Sequence, residues 1–275
     1  MKKQFVFILV ALLPLLASAE TVKIKDIYYN LIAETNEAEV TSGSPKYSGN
    51  ITIPSTITYE DVEYSVTSIG SKAFYECSSL STVTISENSK LAIIGIDAFF
   101  NCSSLTSITI PESVTSIGSH AFYRCISLTS ITIPENSKLT SIRSKAFYNC
   151  SSLTSITIPE SVTSIDNFAF NYCSSLASIT CYAEIPPKCG ISVFTGVDRT
   201  IPLCVPRAAV GEYETAEEWK TFTNIIGIDT GIENIAGDIR IHTLIYDING
   251  VVMDCDFNEL PKGVYIQNGK KFVVK

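Results

Sequence analysis

The chain has 275 residues, a formal net charge of −8, 17% charged residues and 45% hydrophobic residues. It is too apolar and too weakly charged to be wholly disordered, and its acidity argues against a nucleic-acid partner. Nine cysteines fall short of a disulfide scaffold, their odd number leaves at least one thiol without an intrachain partner, and two histidines leave little for imidazole catalysis or His-rich metal sites.

In chain order, Lys2 and Lys3 precede an apolar run from Phe5 to Leu16, and Ala17-Ser18-Ala19 follows as a small-x-small cleavage site. Residues 1–19 therefore read as a secretory signal peptide. The run is too short for a spanning helix, which needs about 20 residues. No later stretch is long enough either, so no transmembrane span is expected in the mature chain.

The middle of the chain is repetitive, and the repeat dictates the fold. Ala73-Phe74-x-x-Cys77-x-x-Leu80-x-x-Val83-Thr84-Ile85 recurs with its cysteine at 102, 125, 150 and 173, in steps of 25, 23, 25 and 23 residues. Longer steps contain Glu-Asn-Ser-Lys-Leu (87–91, 135–139) and shorter ones Glu-Ser-Val (112–114, 160–162), which makes a 48-residue double unit. A period of this size belongs to a leucine-rich-repeat right-handed solenoid, mainly β with short helical turns. In such a fold each coil touches only its neighbours, and stacking makes the core continuous. The Leu-x-x-Ile-x-Ile positions point three aliphatic side chains inward from a short strand. Ala-Phe-x-x-Cys reads as a short helical turn on the opposite wall. Arg143 and Asp166 stand where other coils have Gly, so that backbone position does not strictly require Gly.

Ala-Phe-x-x-Cys-x-x-Leu-x-x-Ile-x-Ile-Pro followed by Thr-Ser-Ile-Gly resembles the BspA-type leucine-rich repeats of bacterial surface proteins, over residues 67–181 in five copies. The resemblance extends to the flanks. Tyr28-Tyr29-Asn30-Leu31 and Tyr47-Ser48-Gly49-Asn50-Ile51-Thr52-Ile53-Pro54 look like that family's N-terminal hairpin and capping coil, residues 20–66. Pro186-Pro187-Lys188, Phe194 and Ile201-Pro202-Leu203-Cys204-Val205-Pro206 look like its degenerate last coil. An acidic cap helix from Ala208 to Phe222, anchored by Trp219, completes residues 182–226.

A linker then leads into alternating apolar runs at Ile239–His242, at Leu244–Val252 with Asn249-Gly250, and at Leu260–Lys275 with Asn268-Gly269. Asn-Gly between apolar runs signals a hairpin, so residues 231–275 are expected to form a small antiparallel β module. Pro261-x-Gly263-x-Tyr265 and the basic tail resemble the C-terminal sorting domain of secreted Bacteroidetes proteins, which implies a role in export.

Candidate binding residues lie on the strand face. Thr84, Thr109, Thr132, Thr157 and Thr180 form a row, with Ser107, Ser130, Ser155 and Ser178 beside it. Solenoids bind along extended faces, although Thr also suits exposed strand positions for structural reasons. A second row, Tyr75, Phe100, Tyr123 and Tyr148, is an alternative glycan-stacking ladder, or else covers the seams between coils. A third, Glu87, Glu112, Glu135 and Glu160, reads as a solvated acidic edge. Repeat-related cysteines point the same way and meet neither zinc nor disulfide geometry, so Cys77, Cys102, Cys125, Cys150 and Cys173 read as small buried hydrophobes. A Cys181–Cys204 or Cys189–Cys204 bridge stays open, as does the role of Cys255. His120 occupies a slot held elsewhere by Lys72, Asp97, Lys145 and Phe168, and is expected to be exposed and incidental.

No nucleophile–base pair, phosphate loop or dinucleotide motif is present, and neither a metal nor another cofactor is expected. The sequence therefore describes an exported, non-enzymatic binding protein at the outer-membrane surface or outside the cell, a monomer or weak oligomer with protein or glycan partners. The family resemblance implies adhesion to host matrix proteins or other cells. Carbohydrate binding through the aromatic row and a structural envelope role are the alternatives.

Overall fold

A coil of 23 or 25 residues cannot enclose a core of its own, and the chain solves this by stacking. The computed structural model describes residues 20–229 together with strand segments 245–247, 252–253, 263–267 and 270–274. The leader 1–19, the run Ile239–His242 and Cys255 lie outside the described residues. The chain divides into two compact units, residues 1–227 and 228–275.

Unit one is the solenoid. Its first wall is built from the Leu-x-x-Ile-x-Ile strands. Gly49–Ile53, Leu80–Ile85, Ser107–Thr109 and Ser130–Thr132 pair in parallel as one four-stranded sheet. Ser155–Ile158, Ser178–Cys181, Leu203–Pro206 and Ile225–Ile228 form the next. Between the two sheets Thr154 N–H still donates to the Thr129 carbonyl. The second wall carries two-residue strands, Ile93–Ile94, Ser116–Ile117, Ser141–Ile142, Ser164–Ile165 and Lys188–Cys189, stacked in parallel on Val62–Ile69. An antiparallel N-terminal hairpin, Glu20–Ile24, Ile27–Ile32 and Glu37–Thr41, extends this wall.

The third wall is the Ala-Phe-x-x-Cys segment. The short helical turns expected there take the form of consecutive β-turns. Alternate amides close turns within their own coil (Ala73 to Gly70, Tyr75 to Lys72, Cys77 to Phe74), while the intervening ones donate to the next coil (Lys72 to Ile96, Phe74 to Ala98, Glu76 to Phe100). An α-helix would use all its amides internally and leave none for the neighbour. The alternation is produced by two left-handed residues per coil, such as Lys72 and Glu76 (φ 61° and 54°) or His120 and Arg124 (57° and 56°).

Inside, Phe74, Phe99, Phe122, Phe147, Phe170 and Phe194 are all fully buried. They stack with centroids 4.8–5.5 Å apart and planes within 5°. Phe194 shows that the degenerate last coil keeps the geometry of the others, with Val193 and Val197 buried where Ala and Cys stand elsewhere. Tyr47 closes the stack at one end, 4.8 Å from Phe74, and Trp219 and Phe222 close it at the other, 5.2 and 5.4 Å from Phe194. Tyr47 hydroxyl donates to the Thr41 carbonyl and accepts Tyr28 N–H. Trp219 Nε1–H donates to the Pro187 carbonyl. The cap helix expected over Ala208–Phe222 is broken into Arg207–Ala209, Val210–Tyr213 and Trp219–Thr221, because Glu218 turns left-handed (φ 67°) to bring Trp219 over the stack.

Two further details follow from coil-to-coil contact. The alternation of long and short steps is stitched by serines. Ser113 Oγ lies 3.0 and 2.7 Å from the Ser89 and Leu91 carbonyls, and Ser161 Oγ 2.7 Å from those of Ser137 and Leu139. A Cβ on Gly118 would sit 2.7 Å from the Gly95 carbonyl carbon, so close approach favours Gly between these two coils, whereas Arg143 and Asp166 hold the equivalent slots of the next two, with Nη1 and Oδ2 3.8 Å apart.

In unit two, Ile245–Asp247 pairs antiparallel with Val252–Met253 and Gly263–Gln267, and the latter pairs antiparallel with Lys270–Val274.

Candidate binding surface

The register of the first wall places Thr52, Thr84, Thr109 and Thr132 at equivalent outward positions, with Asn50, Thr82, Ser107 and Ser130 two residues earlier. Thr157 and Thr180, with Ser155 and Ser178, continue the pattern in the next sheet. The face thus carries two parallel hydroxyl files. Thr84, Thr109, Thr132, Ser107, Ser130 and Ser155 are exposed, and Thr157 and Thr180 half-buried.

A third file was not singled out in the sequence. Thr106, Thr129 and Thr154 follow the core leucines, and their hydroxyls donate to the carbonyls of Ser81, Thr106 and Thr129 in the preceding coil (3.3, 3.0 and 3.1 Å). These hydroxyls are committed to holding coils together. In the Ser107 file the Thr82 hydroxyl donates to Asn50 Oδ1 at 2.8 Å, whereas those of Thr84, Thr109, Thr132, Ser107, Ser130 and Ser155 donate to no described residue, so they are available to a partner. The Leu-Thr-Ser triplet marks both kinds of hydroxyl, but only the location of the neighbouring carbonyl tells them apart.

At the end of this face, Ile85, Glu87, Asn88, Thr109, Glu112 and Lys138 line an open notch of about 340 Å³. Glu87, Glu112, Glu135 and Glu160 are all exposed along the rim, and Glu112 accepts from Asn136 Nδ2 at 2.5 Å.

The aromatic row is brought together, but in a particular way. Tyr75, Phe100, Tyr123 and Tyr148 stack on one another at 4.7–4.9 Å with planes within 12°. Lys46 and Lys72 lie over the Tyr75 ring at the end of the row. A sugar ring needs an open aromatic face, and here the faces cover each other, leaving edges to solvent. The row ends where Asn171 turns inward and Tyr172 meets Tyr148 edge-on at 5.7 Å.

The cysteine ladder is more than small apolar filling. Cys102, Cys125, Cys150 and Cys173 are fully buried, and each Sγ–H donates to the Phe carbonyl of the preceding coil (Phe74, Phe99, Phe122 and Phe147) at 3.0–3.1 Å. Each of those carbonyls also accepts the Cys N–H of its own coil, so both lone pairs are used. Burial pushes the thiols of Cys125 and Cys173 up to about 12 and that of Cys150 well above its ordinary value. Cys181 is buried and raised to about 11. Cys204 sits outward opposite Thr180, and Cys189 lies on the second wall. Neither of the open disulfide pairings forms, and all eight described cysteines are free thiols. Thiolate, not thiol, is the nucleophile. Iodoacetamide at pH 8 should therefore leave the ladder thiols unmodified in folded protein and label them all in denaturant, as read by peptide mass spectrometry. Labelling of Cys125 or Cys150 under native conditions would contradict this arrangement.

His120 is half-buried rather than fully exposed. Its Nδ1 lies 3.4 Å from an Asp97 carboxylate oxygen, and its ring meets the Tyr123 edge at 5.7 Å. Among the described residues no group of three or more His, Cys, Asp or Glu is placed to hold a metal ion, and no helix is long and apolar enough to cross a membrane.

Residues 92–196 match, in six copies, the family described as BspA type leucine rich repeat region. Among solved structures, a leucine-rich-repeat protein of T. pallidum superposes with a TM-score of 0.52 at 25% identity, covering 76% of this chain and 83% of that one. A leucine-rich cell surface protein of Faecalibacterium prausnitzii shares 26% identity over 70% of this chain and 72% of its own, with a TM-score of 0.39. A leucine-rich-repeat protein of Bacteroides capillosus shares 31% identity over 58% and 97%, with a TM-score of 0.38. The last two superpose too loosely to carry an argument. No curated protein matches the chain. Repeat, walls and superposition agree: the chain carries a leucine-rich-repeat solenoid, and its residues 92–196 are a BspA-type leucine-rich-repeat region.

Proposed function

We propose that this protein is an exported, non-enzymatic adhesin that binds a protein partner through the outward strand face of the solenoid. The observation that carries this reading is the division of labour among hydroxyls. Thr106, Thr129 and Thr154 are bonded to neighbouring coils, whereas Thr84, Thr109, Thr132, Ser107, Ser130 and Ser155 stand exposed without an internal partner. A rigid array of unspent donors and acceptors suits many weak contacts with little rearrangement. The leader at 1–19 and the tail at 231–275 support delivery to the cell surface or the medium, the tail through its likeness to a sorting domain. Host matrix proteins or other cells are the partner class that the BspA-type resemblance suggests.

The test is binding of the mature chain to immobilised matrix proteins. Thr109→Lys with Thr132→Lys should abolish it by placing two unpaired charges in the contact, with far-UV circular dichroism unchanged because both positions are exposed. Undiminished binding by that variant would remove the strand face from the mechanism.

A further inference from the structure

We propose that the turn wall of the solenoid is a second binding surface, for an acidic polysaccharide of low charge density, separate from the strand face. The chain as a whole is acidic, at −8, yet this wall collects cations. Lys72 and Lys145 stand on one flank of the row formed by Tyr75, Phe100, Tyr123 and Tyr148, and Arg124 stands on the other. The acids on the same wall are already engaged, Glu76 by Lys46 at 3.1 Å and Asp97 by His120 at 3.4 Å. Lys72, Arg124 and Lys145 form no ion pair with any described residue, and the wall is left net positive.

The backbone sets these cations at the corners of the turn wall. Lys72, Arg124 and Lys145 occupy the left-handed positions of their β-turns, with φ of 61°, 56° and 54°. Gly, Asn and Asp suit this conformation, and for other residues it is costly. Equivalent positions hold Asp97, Asn101, Asn149 and Gly196, and also Glu76, His120, Phe168, Tyr172 and Ser192. Lys72 lies over the Tyr75 ring and Lys145 over the Phe168 ring, so ring contact offsets part of the backbone cost at these corners.

Geometry selects the ligand class. Lys72 and Lys145 are three coils apart, about 14 Å at about 4.8 Å per coil, with Arg124 between them across the row. Duplex DNA carries a charge every ~1.7 Å, and single strands stack bases on open aromatic faces. Here the cations are sparse and the ring faces are closed against each other. A polysaccharide with one carboxylate per disaccharide matches sparse cations. The hydroxyls of Tyr75, Tyr123 and Tyr148, which meet no partner among the described residues, can bond its sugar hydroxyls.

The experiment measures binding of the full mature chain to hyaluronan oligosaccharides, with neutral dextran and single-stranded DNA as comparison probes, across a salt series. The key variant is Lys72→Asn with Arg124→Asn and Lys145→Asn, because Asn relieves the left-handed positions and should leave the melting temperature unchanged or higher. Expected are binding to hyaluronan that weakens with salt, none to dextran, weaker retention of DNA, and at least about tenfold loss in the triple variant. Arg124→Glu should act in the same direction on its own. Thr109→Val with Thr132→Val should leave this binding intact, which separates it from the strand-face reading. Absence of hyaluronan binding, equal binding to DNA, or a triple variant that binds normally would each overturn the proposal.

Discussion

Raising the pH through 10 should unfold the solenoid abruptly, with the buried thiols as the cause. In an unfolded chain a cysteine loses its proton near pH 8.5. In the native coils Cys125 and Cys173 hold theirs to about 12, and Cys150 well above its ordinary value, because burial penalises the thiolate. Between roughly pH 9 and 12 the unfolded chain therefore binds fewer protons than the native one, and stability falls as pH rises. It is fully present below the unfolded value and lost toward the folded one. Burial holds up Cys102 and Cys189 in the same way and Cys181 to about 11, so at about 1.4 kcal/mol per pH unit each the six thiols together contribute about 8 kcal/mol per unit. Against a total stability of about 5–15 kcal/mol, one to two units exhaust it. The measurement is circular dichroism against pH, with thiolate absorbance near 240 nm recorded in parallel. Both should change together, since the thiolates can form only when the coils open. Replacing Cys150 by Ala should lower the slope of this limb by about a sixth. A thiolate signal preceding the loss of structure, or an alkaline limb indifferent to Cys150, would refute the account.

Phe122→Ala is the single substitution expected to cost most at neutral pH, about 3–5 kcal/mol. Phe122 is fully buried and stacked between Phe99 and Phe147, at 5.0 and 5.3 Å. Its loss opens a cavity in the middle of a one-dimensional core and removes two ring contacts. Because each coil touches only its neighbours, nothing distant can compensate, and the two halves of the stack become less strongly coupled. Denaturant unfolding should show a lower midpoint. Trp219 gives a local report from the far end, where its ring closes the stack on Phe194, so its fluorescence transition should separate from the circular dichroism transition in this variant and coincide with it in the wild type. A midpoint shift below about 1 kcal/mol would mean that the core collapses around the gap.

The fold was legible because its cause is periodic. Leu105, Ile108 and Ile110 sit where the Leu-x-x-Ile-x-Ile spacing points them, all buried, and the Phe at each repeat can only meet the Phe of the next. The cap residue Trp219 was legible as well, since a large aromatic beyond the last coil has the open end of the stack to cover. The continuous cap helix was not, because the left-handed Glu218 is imposed by docking and not by local propensity.

The sequence by itself determined the solenoid, its phase and which side chains are inside, because one apolar pattern repeated in register has one way to be buried. Only the tertiary structure decided what each polar repeat does. Thr106 and Thr109 look alike in the sequence and are both exposed, yet the hydroxyl of one is bonded to the carbonyl of Ser81 and that of the other donates to no described residue. Cys125 reads as apolar filling, yet its thiol donates to the carbonyl of Phe99, 26 residues earlier in the chain. The aromatic row reads equally as a glycan-stacking ladder or as a cover for the seams between coils, and only the structure shows Tyr123 between Phe100 and Tyr148 with both faces covered. In each case the partner belongs to the adjacent coil, and whether a group is spent or free depends on which atom that coil places opposite it.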